Sequence, residues 1–107
     1  MQIDNQKILN LTCSNSSPIQ GEKVTHIYTL EAAMILLLTT KFYEVAIDGE
    51  HLSSTRLLEW MSRENLWPTH RIMVYNTYEG IGEFCLHNCP SYLDITIVGC
   101  PTYEEGA

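Results

Sequence analysis

The chain has 107 residues, with 13 acidic and 6 basic side chains and a formal charge of −7. A hydrophobic fraction of 45% suits one packed core without metal or disulfide support, and the longest apolar run, residues 32–38, is far shorter than the roughly 18–20 residues of a membrane span. The cations stand singly along the sequence, so no basic stripe offers to displace counterions from a nucleic-acid duplex.

Residues 7–13, KILNLTC, alternate apolar and polar side chains and predict a strand. Residues 14–21, SNSSPIQG, have loop composition. Residues 24–28 are β-branched and aromatic, which predicts a second short strand. Thr29 is placed to cap a helix over residues 30–41, LEAAMILLLTTK, with Glu31 in the first turn and Lys41 in the last to suit the helix dipole. That segment is apolar nearly all round, and deep packing is expected of it.

Residues 42–48, FYEVAID, form an apolar run of the kind buried on both faces of a parallel sheet. Ser53 or Ser54 caps the next helix, which runs to about Asn65 with Leu57, Leu58 and Met61 on one stripe and Trp67-Pro68 as its stop. Residues 71–76, RIMVYN, predict another buried strand. Residues 78–88 place Ile81, Phe84 and Cys85 at helical spacing, against the cost of Gly80 and Gly82. A last strand is expected over 92–99, YLDITIVG, followed by an exposed tail over 101–107. From Val24 onward strands and helices alternate with short links, which predicts one α/β domain, three-layered around a mostly parallel sheet. It spans 1–107, with an N-terminal strand and loop over 1–22 and the α/β core over 23–100.

Open parallel sheets bind ligands outside the carboxyl ends of their strands. That rule singles out Asp48, Glu50 and His51 after one strand, and Tyr75, Asn76 and Tyr78 at the end of the next, with Arg56 as a nearby cation. Asp48 and Glu50 suit acid–base work or Mg²⁺ ligation, and His51 suits proton transfer near neutral pH. The same Asp-Gly pair also makes an ordinary turn. Tyr75, Asn76 and Tyr78 offer stacking and hydrogen bonding to a base. With no basic, apolar leader at the N-terminus the chain reads as cytoplasmic, and its thiols as reduced. Cys85, His87 and Cys89 present soft ligands that Cys13 or Cys100 would complete into a zinc tetrahedron, although small buried thiols are common in cores.

Residues 29–80 resemble the cyclic-phosphate processing receiver domain. That family carries a helix leading into a strand of the type V-S-L-D-H-D-L, then an amphipathic helix ending in W-L, a Pro, and a strand closing in H-S-x-N-P-x-G. The counterparts here are TLEAAMILLLTTKFYEVAIDGEHL, SSTRLLEWMSRENLWP and HRIMVYNTYEG. Asp48 matches the first acid, Gly49 stands in the place of the histidine, and Glu50 stands for the second acid. Met73 or Val74 falls where the later histidine would be, while Asn76 and Gly80 match. The resemblance implies a flavodoxin-like receiver fold with a role in binding or processing cyclic-phosphate nucleotides.

Three functional expectations follow. The first is a catalytically degenerate receiver-like module that holds a phosphorylated or cyclic nucleotide at the edge formed by Asp48, Glu50, His51, Arg56, Tyr75, Asn76 and Tyr78, or sequesters a signalling nucleotide as phage-encoded sponges do. The second is an acidic protein–protein module or inhibitor that docks on a basic partner through Trp60, Trp67, Tyr92 and Tyr103. The third is a metal-assisted phosphoesterase using Asp48 and Glu50. The apolar segment 30–41 adds the expectation of a homo-oligomer.

Overall fold

The computed structural model of the chain describes residues 6–13, 19–77 and 79–99. Among these residues there are five strands, β1 (Ile8–Leu11), β2 (Val24–Ile27), β3 (Glu44–Asp48), β4 (Arg71–Thr77) and β5 (Asp94–Gly99), and from β2 onward they alternate with three helices, α1 (Leu30–Thr39), α2 (Ser54–Glu64) and α3 (Glu79–Asn88). The strands form one sheet in the order β2-β1-β3-β4-β5, and every pairing is parallel. The α/β, flavodoxin-like expectation holds. The first predicted strand is no appendage, because it lies inside the sheet between β2 and β3. The expected tail over 101–107 lies outside the described residues.

The steps from β2 to β3, β3 to β4 and β4 to β5 all cross the sheet in the same direction, so right-handed connections carry their helices to one side. The core follows from that geometry. Leu9 and Leu11, Val45 and Ile47, and Ile72 and Val74 share a face by register and pack with Ala33, Leu37, Leu57, Leu58, Met61 and Cys85. The step from β1 to β2 runs in the opposite sense, and its connection contains no helix among the described residues. The other face, which carries Asn10, His26, Ala46, Met73, Tyr75 and Thr96, has no described helix packed on it.

A polar chain crosses that second face. The Tyr75 hydroxyl donates to Asn10 Oδ1 at 2.8 Å, and Asn10 Nδ2 lies 3.0 Å from His26 Nδ1. Asn10 is fully buried, so these bonds offset the desolvation of its amide. At the start of the strands, Glu44, Arg71 and Asp94 stand in register across β3, β4 and β5. Arg71 bridges the two acids at 3.7 and 3.4 Å.

Two details of α1 differ from expectation. Thr29 caps it as predicted, with Oγ1 accepting from the Ala32 N–H at 3.2 Å. The helix stops at Thr39, however, and Lys41 lies beyond it with Nζ donating to the Trp67 carbonyl at 3.3 Å. The segment is also not buried all round. Ala33 and Leu37 face the core, while Ile35 is 61% and Leu38 63% exposed. A helix lying on one face of a sheet has only one stripe to bury, whatever the composition of the rest. At the end of α2, Asn65 takes the left-handed conformation at φ 55°, and its Oδ1 accepts from Trp67 Nε1 at 3.1 Å.

Candidate functional site

The parallel sheet brings the ends of β1 and β3 side by side, and Thr12, Cys13, Asp48, Gly49, Glu50 and His51 follow directly from those ends. At the centre is Asp48, only 6% exposed. Its Oδ1 accepts from the Glu50 N–H at 2.9 Å and from Asn76 Nδ2 at 3.4 Å. The Cys13 thiol lies beside the Asp48 carboxylate. Burial, followed by this carboxylate, pushes the Cys13 thiol above its ordinary value. Asp48 therefore acts as an acceptor that ties the turn after β3 to the end of β4.

Gly49 is fixed by a close strand approach. Its N–H donates to the Tyr75 carbonyl at 2.6 Å, and a Cβ at this position would lie 2.5 Å from Thr77 Cβ and 2.9 Å from the Asn76 carbonyl oxygen. The β4 backbone thus excludes a side chain at position 49. Opposite it, Asn76 sits at φ 55°, where the pairing of β4 with β5 shifts between Tyr75 and Thr77. Asparagine tolerates this left-handed conformation better than most residues, and the bulge turns its amide toward Asp48.

His51 fastens two loops together. Its Nδ1 accepts from the Ser53 N–H at 3.0 Å, which places the ring proton on Nε2. Nε2 then donates to the Tyr28 carbonyl at 2.7 Å. With both nitrogens engaged, His51 holds the loop after β3 against the loop after β2. Ser53 occupies the cap position of α2 without a side-chain bond, and Ser54 Oγ donates to the Gly49 carbonyl at 3.4 Å.

Between these loops runs a shallow cleft of about 360 Å³, lined by Thr12, Cys13, Tyr28, Glu50, His51 and Leu52. Leu52 is 97% exposed and Tyr28 45%. Neither Lys nor Arg lines the cleft. The topology explains this: Lys7, Lys23 and Lys41 come just before β1, β2 and β3, and Arg71 opens β4, so a parallel sheet sends four of the six cations to its amino edge. Side chains scattered in sequence become neighbours there, while the carboxyl edge is left acidic.

Of the residues expected at the site, the structure gathers Asp48, Glu50, His51 and Asn76. Tyr75 is 2% exposed and spends its hydroxyl on Asn10, on the face of the sheet opposite the described helices. Arg56 lies exposed on α2 and is not part of the cleft lining. Tyr78 lies outside the described residues, as do Cys100 and Tyr103. Trp60 and Trp67, expected on a docking surface, are 8% and 7% exposed and belong to the core, whereas Tyr92 is 63% exposed. The site also takes in Thr12, Cys13, Tyr28 and Leu52. The strand-end rule would have reached Thr12 and Cys13 once β1 was known to lie beside β3.

Among the described residues, no three His, Cys, Asp or Glu side chains gather as a metal-ligand set. On α3, Cys85 is buried in the core and His87 is exposed, while Cys89, just past the end of the helix, is half-buried. The neighbouring Cys85 thiol, together with burial, pushes the Cys89 thiol above its ordinary value. No helix among the described residues is long and apolar enough to cross a membrane. Comparison with protein-family models, with curated proteins and with solved structures gives no match.

Proposed function

We propose that this chain is a small recognition module whose carboxyl edge accepts a basic segment of another protein carrying an apolar anchor. The observation that carries this reading is Leu52, 97% exposed on the rim of a cleft whose one formally charged lining residue is Glu50. Covering a leucine of this kind contributes about 1.5–3 kcal/mol. The loop that presents it is held by the Asp48 and His51 hydrogen bonds, so little ordering entropy remains to be lost on docking. A net charge of −7 steers cationic partners toward the molecule. We assign no turnover to the edge, since Asp48 is held by donors and both nitrogens of His51 are engaged.

A phosphorylated or cyclic nucleotide is the second reading. In its favour, α2 begins at this edge with no acid in its first turn and no side-chain bond from its cap residue, an arrangement hospitable to an anion. It ranks behind because the cleft lining supplies no cation.

Fluorescence anisotropy with labelled peptides of Lys and Arg around a single Leu or Phe tests the first reading, with charge-reversed peptides as controls. Binding should weaken with added salt and fall about tenfold or more in Leu52→Asp and in Glu50→Lys. A thermal shift with cyclic nucleotides, and tighter nucleotide binding by Glu50→Lys, would favour the second. Absence of peptide binding, or binding indifferent to Leu52→Asp, overturns the first.

A further inference from the structure

We infer that the outer edge of β5 is a self-association surface, joining two copies of this chain into one continuous sheet about a two-fold axis. The inference concerns a surface separate from the carboxyl-edge cleft and stands independently of it. β5 closes the sheet, and among the described residues no strand pairs with its far side. The Asp94 N–H donates inward to the His70 carbonyl at 2.9 Å. Backbone groups alternate in direction along a strand, so Ile95 and Ile97 turn their N–H and C=O groups outward. An edge of this kind is normally blunted by lysine, proline or a very short strand. The sequence DITIVG has neither residue, runs for six positions, and leaves Ile97 40% and Val98 45% exposed.

The strand is complementary to itself. A two-fold axis normal to the sheet through Thr96 runs the two copies antiparallel and keeps the helices of both on one side. Ile95 of each copy then meets Ile97 of the other, and each such pair exchanges two backbone hydrogen bonds, which uses every outward group of both residues. On the helix side these are Ile–Ile contacts, and on the opposite side the two Thr96 side chains meet, both favourable cross-strand pairs. The one charged residue of the strand, Asp94, falls opposite Val98 of the other copy. The two Asp94 carboxylates lie four residues apart along the strand, about 13 Å, beyond the screening length of ~10 Å at 0.1 M salt. Tyr28 and Leu52 stay clear of this edge, so both copies keep an open cleft. Ile35 and Leu38 on α1 are also exposed, but a helix surface offers no comparable row of unpaired backbone groups.

A single strand pair is a small interface, below roughly 1,200 Å² in total, so the dimer should form and dissolve with concentration. Sedimentation equilibrium of the full chain, without any peptide, should show reversible approach to twice the monomer mass. Because both copies carry −7, association should strengthen as salt rises, the reverse of the salt dependence of the cleft. Ile97→Lys should weaken it at least tenfold, while Thr25→Lys, the same change on the exposed residue of the opposite edge strand, should leave it within about twofold. Circular dichroism establishes that both variants are folded. Thr96→Cys should form a disulfide-linked dimer under mild oxidation, since a non-hydrogen-bonded antiparallel pair holds its Cα atoms about 4.5 Å apart, within disulfide reach. A chain that stays monomeric at every concentration and salt, a dimer unmoved by Ile97→Lys, or failure of Thr96→Cys to cross-link overturns the inference.

Discussion

Gly49 and Tyr75 are joined by a backbone hydrogen bond of 2.6 Å, and this bond brings the turn after β3 against the last residues of β4 so closely that no side chain fits at position 49. The glycine is therefore a packing requirement of the site. Gly49→Ala should destabilise the fold by about 1–3 kcal/mol, as overpacking against backbone does, and Gly49→His by more. Urea unfolding checks this through a lower midpoint. A fully stable Gly49→His protein would contradict the close approach.

Asp48 and Cys13 make a second testable pair. Partial burial and then the carboxylate raise the thiol, so Cys13 should alkylate slowly for an exposed cysteine. Asp48→Asn removes the charge while keeping an oxygen for the Glu50 N–H, and alkylation mapped to Cys13 by mass spectrometry should accelerate severalfold at mildly alkaline pH. An unchanged rate would mean that the carboxylate does not govern the thiol.

Glu44 sets a pH dependence. Burial raises its carboxyl above 4.5, and the Arg71 guanidinium only partly offsets this. The folded state then holds the proton to higher pH than the unfolded chain, so this contribution to stability is complete below pH 4.5 and is lost as pH rises through the folded value. Glu44→Gln should therefore gain stability relative to the parent on going from acid to neutral pH. Thermal melts of both proteins across that range measure the difference, and a gain confined to acid pH would reverse the sign.

Tyr75→Phe separates stability from binding. Removing the hydroxyl that donates to Asn10 should cost about 1–2 kcal/mol, because the acceptor is wholly buried. Peptide affinity at the cleft should stay within about twofold, since the side chain is buried on the face opposite the described helices. A large affinity loss with little change in stability would place Tyr75 in the site after all.

Much of this fold was legible in the residues themselves. Thr29 announced the start of α1 because a threonine oxygen satisfies an orphan helix amide, and Trp67-Pro68 marked the end of α2 because proline disfavours helix in the residue before it. The run EVAID reads as a buried parallel strand, and all five of its residues are buried. Asp48, Glu50 and His51 were reached by the strand-end rule alone. Tyr75 was misplaced by the same rule: a strand residue near the carboxyl end points to one face or the other, and only the register with Asn10 decides that it is buried.

Local features followed from the residues alone: which segments become strands and helices, where they cap and stop, and that connected parallel strands deliver Asp48 and its neighbours to one edge. The tertiary structure alone decided what those residues do together. The placement of β1 inside the sheet brings Cys13 to Asp48, and the convergence of β3 with β4 makes position 49 a glycine. The common strand direction sends four of the six cations to the amino edge and Asp48 and Glu50 to the carboxyl edge. Each is a contact between residues far apart in the chain, and such contacts depend on strand order and register, which periodicity and propensity do not encode.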